Sequence, residues 1–343
     1  MKRTPLILWL VLLALVAGVR AQKLPLADGT GRVAQLVDVR ALSPTAPGVE
    51  RDVAADRASL ASLALFVRRF CEPPLAPDHD LQPLGERYLA VLAGPEQIAF
   101  VERMIATAKA HQGEPLLVEC RILSLTDASF QKHLAPFLPA TAVAPRAEVV
   151  TAEPKLLGFL FQQGESSRDA ARVAILGPGQ MQPLFKLLTA DAATDLLQAP
   201  SILVLPLQSA SIAVGEDVAY VKDYELDVVD GRLEPRKVMG SVFDGVRIDA
   251  TCGLIDADRI ALEFALQQQV LVRPIAEFRT TLAQSGDVAI KATIEVPSST
   301  GCRTEQSLVL PLGASAVVAA KNGEGTWCVT TVTVTQSNGR SPR

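Results

Sequence analysis

Residues 288–296 alternate without a break, with Val288, Ile290, Ala292, Ile294 and Val296 on one parity and Lys291, Thr293 and Glu295 on the other. A period of two belongs to a strand that is covered on one face and polar on the other, and a helix cannot present it. Arg259–Leu266 repeats the pattern, with Ile260, Leu262, Phe264 and Leu266 sharing a face. Around these lie further strand candidates: Ile202–Leu205, Ser211–Val214 stopping at Gly215, Leu308–Leu310, Ala316–Ala319 and Trp327–Val334, with turns such as Asn322-Gly323. Arg273-Pro274 breaks the pattern after Gln267-Gln268-Gln269 and marks a turn or an edge. Gly215, Gly240, Gly245 and Gly313 are assigned to turns, bulges or close backbone approaches. The chain after Pro200 therefore reads as antiparallel β.

Upstream the periods are mixed. Val33–Val39 and Tyr88–Leu92 read as strands, and Ala58–Phe70 as a helix with Leu60, Leu63, Leu65 and Phe66 on its face. Pro95 suits the first turn of a second helix, with Glu96 near its positive end and Ile98, Val101, Met104, Ile105 and Ala108 as the apolar stripe. Leu116–Leu125 is a further strand, followed by a Pro- and Ala-rich loop over 136–154, a strand over Lys155–Phe161 with a turn at Gly164-Glu165-Ser166, and a helix over Gln180–Leu197 carrying Leu184, Leu187, Leu188 and Leu196. The expected class is α+β: a small α/β domain over 22–112, a β-rich domain of antiparallel strands over 113–335, and a flexible tail over 336–343. No internal repeat is visible.

The first residues have a different character. Lys2 and Arg3 precede an apolar run from Leu6 to Val19, and Val19-Arg20-Ala21 has small residues where a signal peptidase reads. Residues 1–21 are expected to be a cleaved signal peptide, since the run is shorter than the roughly 20 residues that cross a bilayer. Removing Lys2, Arg3 and Arg20 takes the formal charge from −4 to −7. Charges of both signs are mixed along the chain, so no basic face marks a nucleic-acid partner. About 320 residues remain, enough for two cores, and an apolar fraction of 49% argues against disorder. Any further membrane contact would have to come from strands.

Five cysteines, Cys71, Cys120, Cys252, Cys302 and Cys328, stay with the mature chain. Export permits disulfides, and scattered cysteines in a large domain are equally buried thiols. Cys302 with Cys328 is the favoured pair, because both sit near the ends of neighbouring strand candidates. The odd count leaves one thiol over.

The familiar catalytic constellations are missing from the sequence. There is no Gly-x-Ser-x-Gly, no paired-histidine zinc motif and no Cys-x-x-Cys among three histidines and five cysteines. Gly29-Thr30-Gly31-Arg32-Val33-Ala34 matches a dinucleotide fingerprint on paper, but no strand precedes it. Asp78-His79-Asp80 lies between Pro73-Pro74 and Pro83 with no further ligands in view, and it reads as a solvated loop. His111 and His133 have ordinary structural settings. Neither a catalytic residue, a metal ligand nor a cofactor is expected, and the chain reads as non-enzymatic.

The order of several segments resembles one family, the secretins, the multimeric outer-membrane gates of type II and type III secretion and type IV pilus systems. Leu197-Gln198-Ala199-Pro200 followed by Ser211-Ile212-Ala213-Val214-Gly215-Glu216-Asp217-Val218-Ala219-Tyr220 is similar to the family's strand after a Pro, then an apolar strand and Val-Gly. Gly245-Val246-Arg247-Ile248-Asp249-Ala250 and Ile260-Ala261-Leu262-Glu263-Phe264 resemble its Gly-led strand and the next one. Ile294-Glu295-Val296-Pro297, Thr304-Glu305-Gln306-Ser307 and Leu310-Pro311-Leu312-Gly313 resemble the hairpin that enters the last strands. Upstream, Leu117–Leu123 is similar to the strand that opens the core, and Leu89–Ala110 to the small ring-building domain before it.

The resemblance places structural roles on Pro200, Val214, Gly215, Gly245, Pro297 and Gly313. It implies a homo-oligomeric ring, other secretion-system or envelope proteins as partners, and an exported protein of the outer membrane or periplasm, with contact to the outer membrane and none to nucleic acid. Two departures stand out. Ala319-Ala320 replaces the usual two glycines, and the chain runs from Lys321 through Thr326 into Trp327 without the gate segment. The reading is of a reduced secretin-like chain, with a periplasmic, pore-free interaction module as the alternative.

Overall fold

The computed structural model describes residues 24–25, 32–42, 53–85, 87–138, 147–148, 171–229, 232–285, 288–321 and 326–337. It is an α+β structure dominated by antiparallel strands. The signal segment, the Lys155–Phe161 strand and the Asn322-Gly323 turn expected from the sequence lie outside the described residues. Two compact units emerge, one comprising residues 1–114, 205–208 and 253–261, the other residues 115–204, 209–252 and 262–343.

The first unit holds a four-stranded antiparallel sheet in the order β1-β2-β4-β3, from β1 (Leu24–Pro25), β2 (Val33–Asp38), β3 (Asp80–Leu84) and β4 (Tyr88–Ala93). Helices α1 (Val53–Phe70) and α2 (Pro95–Ala110) pack on it. The stripe Ile98, Val101, Met104, Ile105 and Ala108 is buried as its spacing predicts. On α1 the expected face needs correcting. Leu60, Leu63, Ala64, Val67 and Phe70 are buried and Leu65 is 66% exposed, because the i, i+3, i+4 rows from Leu60 leave position 65 on the far side. Leu207 takes φ 62 in the tight turn closed by Gln208 N–H donating to the Leu205 carbonyl. Its side chain fills the place where a Cβ on Gly253 would stand, so this turn needs a glycine opposite it.

The second unit is layered. One sheet runs β7-β16-β17-β5-β8, with β9 also paired to β5: β5 (Leu116–Thr126), β7 (Arg172–Leu176), β8 (Thr194–Gln198), β9 (Ser201–Val204), β16 (Ser315–Lys321) and β17 (Thr326–Gln336). One of its faces presents Leu123, Leu125, Val317, Trp327 and Val329 to α3 (Asp127–His133) and α4 (Pro178–Ala190), closing a core with Phe130, Leu184 and Leu188. The opposite face carries Val118, Cys120, Ile122, Thr330 and Val332, all buried.

The second sheet runs β10-β11-β12-β15-β6, from β6 (Ala147–Glu148), β10 (Ser209–Val229), β11 (Arg232–Leu254), β12 (Arg259–Leu271) and β15 (Ser299–Pro311). Cys302 on β15 and Cys328 on β17 join the two sheets, their Cα atoms 6.7 Å apart. A separate hairpin pairs β13 (Ala276–Ser285) with β14 (Val288–Val296).

Two local expectations are revised. The helix expected to Leu197 ends at Ala190, and Leu196 sits on β8, where pairing with β5 overrides the helical spacing. The strand expected to stop at Gly215 continues to Val229, and beyond the break at Arg273-Pro274 residues 276–285 form the paired strand β13.

Candidate functional site

The long hairpin β10–β11 is where chemistry and geometry concentrate. Its ladder runs from Ser209↔Thr251 to Val229↔Arg232, broken by one bulge at Lys222. At about 3.3 Å per residue, 21 residues reach roughly 70 Å.

Gly215 and Gly245 stand opposite each other in this ladder. A Cβ on Gly215 would overlap the Asp244 carbonyl, and one on Gly245 would overlap the Val214 carbonyl. The Phe243 ring lies over the same pair, with the Arg247 guanidinium 5.3 Å from its centroid. Tyr220 covers Gly240 in the same way. These three glycines therefore lie within strands and serve close approach, whereas Gly313 occupies the turn between β15 and β16 at φ 77. Gly301 is a fourth contact of this kind, since a Cβ there would overlap the Gln268 carbonyl on β12.

Past the bulge the two faces of the hairpin diverge. Leu226↔Pro235 and Val228↔Leu233 share one face, and Glu225↔Arg236 and Asp227↔Glu234 share the other. Val228 is 71% and Leu233 48% exposed. On the charged face Arg236 pairs with both Glu225 and Asp227. The hairpin β13–β14 has the same division: Phe278↔Ile294 and Thr280↔Ala292 oppose each other on one face, Glu277↔Glu295 and Arg279↔Thr293 on the other. Ala292 and Val296 are buried, Ile290 and Ile294 half-buried, and Lys291 exposed.

The two hairpins lie side by side, stitched by side chains. Val221 N–H donates to the Glu295 carboxylate at 2.6 Å, and the Tyr224 hydroxyl donates to the Thr293 carbonyl at 3.3 Å. Arg273, at the crossing from β12 to β13, donates to Glu216 (2.5 Å) and Asp244 (3.2 Å), and those hydrogen bonds, Asp244's first, raise its pKa. Beneath this clamp a groove of about 440 Å³ is lined by Gln198, Gly215, Glu216, Asp244, Gly245 and Gln268.

The structure brings Val214, Gly215 and Gly245 together in one ladder. It places the others apart: Pro200 separates β8 from β9, its carbonyl accepting from Cys120 N–H at 2.9 Å, and Pro297 follows β14. Phe243 was not singled out from sequence, and Arg273, Gln268 and Glu295 were read there only as parts of a turn and of strand patterns, without the contacts they make here. The one available signal was the arrangement of glycines opposite aromatics.

One cluster has the residue types of a catalytic triad. Ser129 Oγ donates to Asp191 Oδ2 at 2.8 Å, and His133 Nε2 lies 3.2 Å from the same oxygen. The carboxylate sits in the middle, so histidine does not reach the hydroxyl and cannot act as its base. Ala193 N–H, Ser129 and His133 hold the Asp191 pKa down, and the group ties α3 to the end of α4. Asp78, His79 and Asp80 do not converge on a site. His79 Nδ1 accepts from Ala76 N–H, Asp78 pairs with Arg32, and Asp80 opens β3. Among the described residues there is no cluster of three or more metal-ligating side chains, and no helix is long and apolar enough to cross a membrane.

Among solved structures the chain is similar to the type IV competence pilus secretin PilQ of V. cholerae, with 10% identity, 98% of this chain and 90% of that one covered, and a TM-score of 0.31. It is similar to the type II secretion system secretin GspD of E. coli K12, with 9% identity, 96% and 66% covered and a TM-score of 0.30, and to the InvG secretin domain β-barrel of the Salmonella SPI-1 injectisome, with 10% identity, 95% and 86% covered and a TM-score of 0.24. No family model and no curated protein matches. At these TM-scores the likeness carries no functional argument, and the function has to be read from the chain's own strands.

Proposed function

We propose that this chain is an exported, ring-forming, secretin-like subunit of a bacterial outer-membrane secretion or pilus apparatus, and that its work is structural. The observation that supports this most directly is the two-faced pair of hairpins. Beyond Gly215 the strand β10 has 14 residues, more than the roughly 9–11 a tilted strand needs to cross a bilayer. Past the Lys222 bulge its apolar face suits lipid, and its charged face suits a water-filled lumen. The order of the secretin-like segments along the sequence points the same way.

Assembly needs edges. The six-stranded sheet ends at β7 on one side and at β8 and β9 on the other, with Ile175 exposed on the first and Leu196, Leu197 and Leu203 on the second. Two different edges joined head to tail generate a ring when the rotation closes, and closure satisfies backbone groups that would otherwise template aggregation. Partners in this reading are further copies of the chain and other envelope proteins. The mature chain begins at Gln22, and no turnover belongs to it.

The test is a membrane extract of cells producing the full chain. A very large, detergent-resistant multimer is expected, with cysteines at Lys291 or Glu295 open to a water-soluble thiol reagent in intact membranes and a cysteine at Ile290 protected. Full release of the protein by salt or alkali would sink the pore reading. It would leave the second one, a periplasmic module that binds envelope partners, which the short connection from Lys321 to Thr326 favours.

A further inference from the structure

We propose that Cys302 and Cys328 form a reversible redox pair between the two sheets of the second unit, entered through Cys328 and biased toward the dithiol by Gln268.

Three observations carry this. The two cysteines come from strands of different sheets, β15 and β17, so their bond is a covalent tie across the layers. They differ in access: Cys302 is 3% exposed, whereas Cys328 is half-buried. The Gln268 side chain on β12 is nine-tenths buried, and its Oε1 lies 3.7 Å from the sulfur of each cysteine. A thiol is a weak donor and a disulfide sulfur has no hydrogen to donate. As thiols, both cysteines can donate to the Gln268 carbonyl. Once joined, neither can, and a buried acceptor loses both partners. Gln268 thus favours the reduced state, and it does so while lining the groove next to Gly215 and Gly245.

The exchange is balanced with a small disulfide or a disulfide-bearing protein as oxidant. The Cys328 thiolate attacks one oxidant sulfur, breaking that bond, releasing one thiol and leaving a mixed disulfide on Cys328. The Cys302 thiolate then attacks the Cys328 sulfur and releases the second thiol. Two electrons pass from the cysteine pair to the oxidant, and its two departing thiolates take up the two protons. Cys71, Cys120 and Cys252 are buried, and burial, the first cause at each, pushes them up to about 11, 12 and 12, so they stay outside the exchange.

The experiment uses the full mature chain, reduced and then placed in glutathione redox buffers. Wild type is expected to end with a Cys302–Cys328 bond, no glutathione adduct and three thiols that alkylate only in denaturant. Cys302→Ser should keep one glutathione on Cys328, and Cys328→Ser should take one on Cys302 at least about tenfold more slowly. In case either variant misfolds, brief native alkylation of reduced wild type supplies the same comparison, with label on Cys328 about tenfold ahead of Cys302. Gln268→Leu should shift the equilibrium toward the disulfide by roughly three- to tenfold, the size of one modest hydrogen bond. Equal rates at the two cysteines would overturn the entry assignment. A shift toward the dithiol in Gln268→Leu would overturn the role of Gln268, and failure of wild type to form the bond would overturn the proposal. None of these readouts depends on ring assembly.

Discussion

The Trp327 indole lies flat on the Phe130 ring, with centroids 3.7 Å apart and planes 7° from parallel. Its Nε1–H donates to Asp127 Oδ1 at 2.9 Å, and the Arg172 guanidinium stands 5.3 Å from the indole ring. The stack therefore ties the start of β17 to α3 and β7, and its polar edge is satisfied. Trp327→Ala should cost about 3–5 kcal/mol in urea unfolding followed by circular dichroism. Trp327→Phe should lose much less. Asp127, held below its usual carboxylate range first by Trp327 and then by Lys321, should rise toward that range in Trp327→Phe, as read by NMR titration.

Gly215→Ala and Gly245→Ala should each lower stability by about 1–3 kcal/mol, because each added methyl meets the backbone of the opposing strand and the Phe243 ring. Gly179→Ala is the contrasting case. It lies in the first turn of α4 with nothing within 4 Å of the new Cβ, and it should be neutral or stabilising by up to about 1 kcal/mol. Thermal melts of the three variants decide the matter, and equal effects would remove the close-approach role.

At the end of β2, burial would raise the Asp38 carboxyl, but hydrogen bonds and charge from Arg40, with Arg87 beyond, lower it to about 2. A depressed carboxylate contributes stability that is fully present above its ordinary value of 3.8 and is lost as pH falls through about 2. Between pH 4 and pH 2 wild type should lose stability that Asp38→Asn does not lose. The difference should stay under about 1 kcal/mol, because the pair is partly exposed. Acid titration of both proteins by circular dichroism checks it.

On β14, Ile294 lies opposite Phe278, and Lys291 opposite Thr281. Ile294→Asp should cost about 2–4 kcal/mol if core covers that face and less than that if lipid does. Lys291→Gln should be silent. A tolerated Ile294→Asp would mean that the apolar face is not covered at all.

Strands whose alternation comes from one buried face were legible from sequence, and β12 and β14 begin where their alternation does. The α2 stripe was legible for the same reason, a single buried face. What escaped was set by partners distant in sequence. Leu196 has helical spacing from Leu188, yet β8 forms because β5 offers it a ladder. Leu65 follows the apolar run of α1 but points away from its core. Gly215 reads locally as a stop, and only the facing Gly245 turns it into a close crossing inside a continuous strand. The Gln268 contact to two sulfurs needs three strands at once, which no local pattern encodes.

Unit one takes back two short stretches of the later chain, residues 205–208 and 253–261. Leu207, Ile255 and Ile260 from those stretches are buried, and Arg259 bonds to Glu72 at 2.9 Å. The amino-terminal unit is therefore incomplete when its own sequence has left the ribosome, and it must wait about 150 residues for the pieces that finish it. At 5–20 residues per second that is a delay of roughly 7–30 seconds. During this time Phe66 and its neighbours lack part of their cover, which is the interval in which a holding chaperone or an unfolded export route would have most to act on.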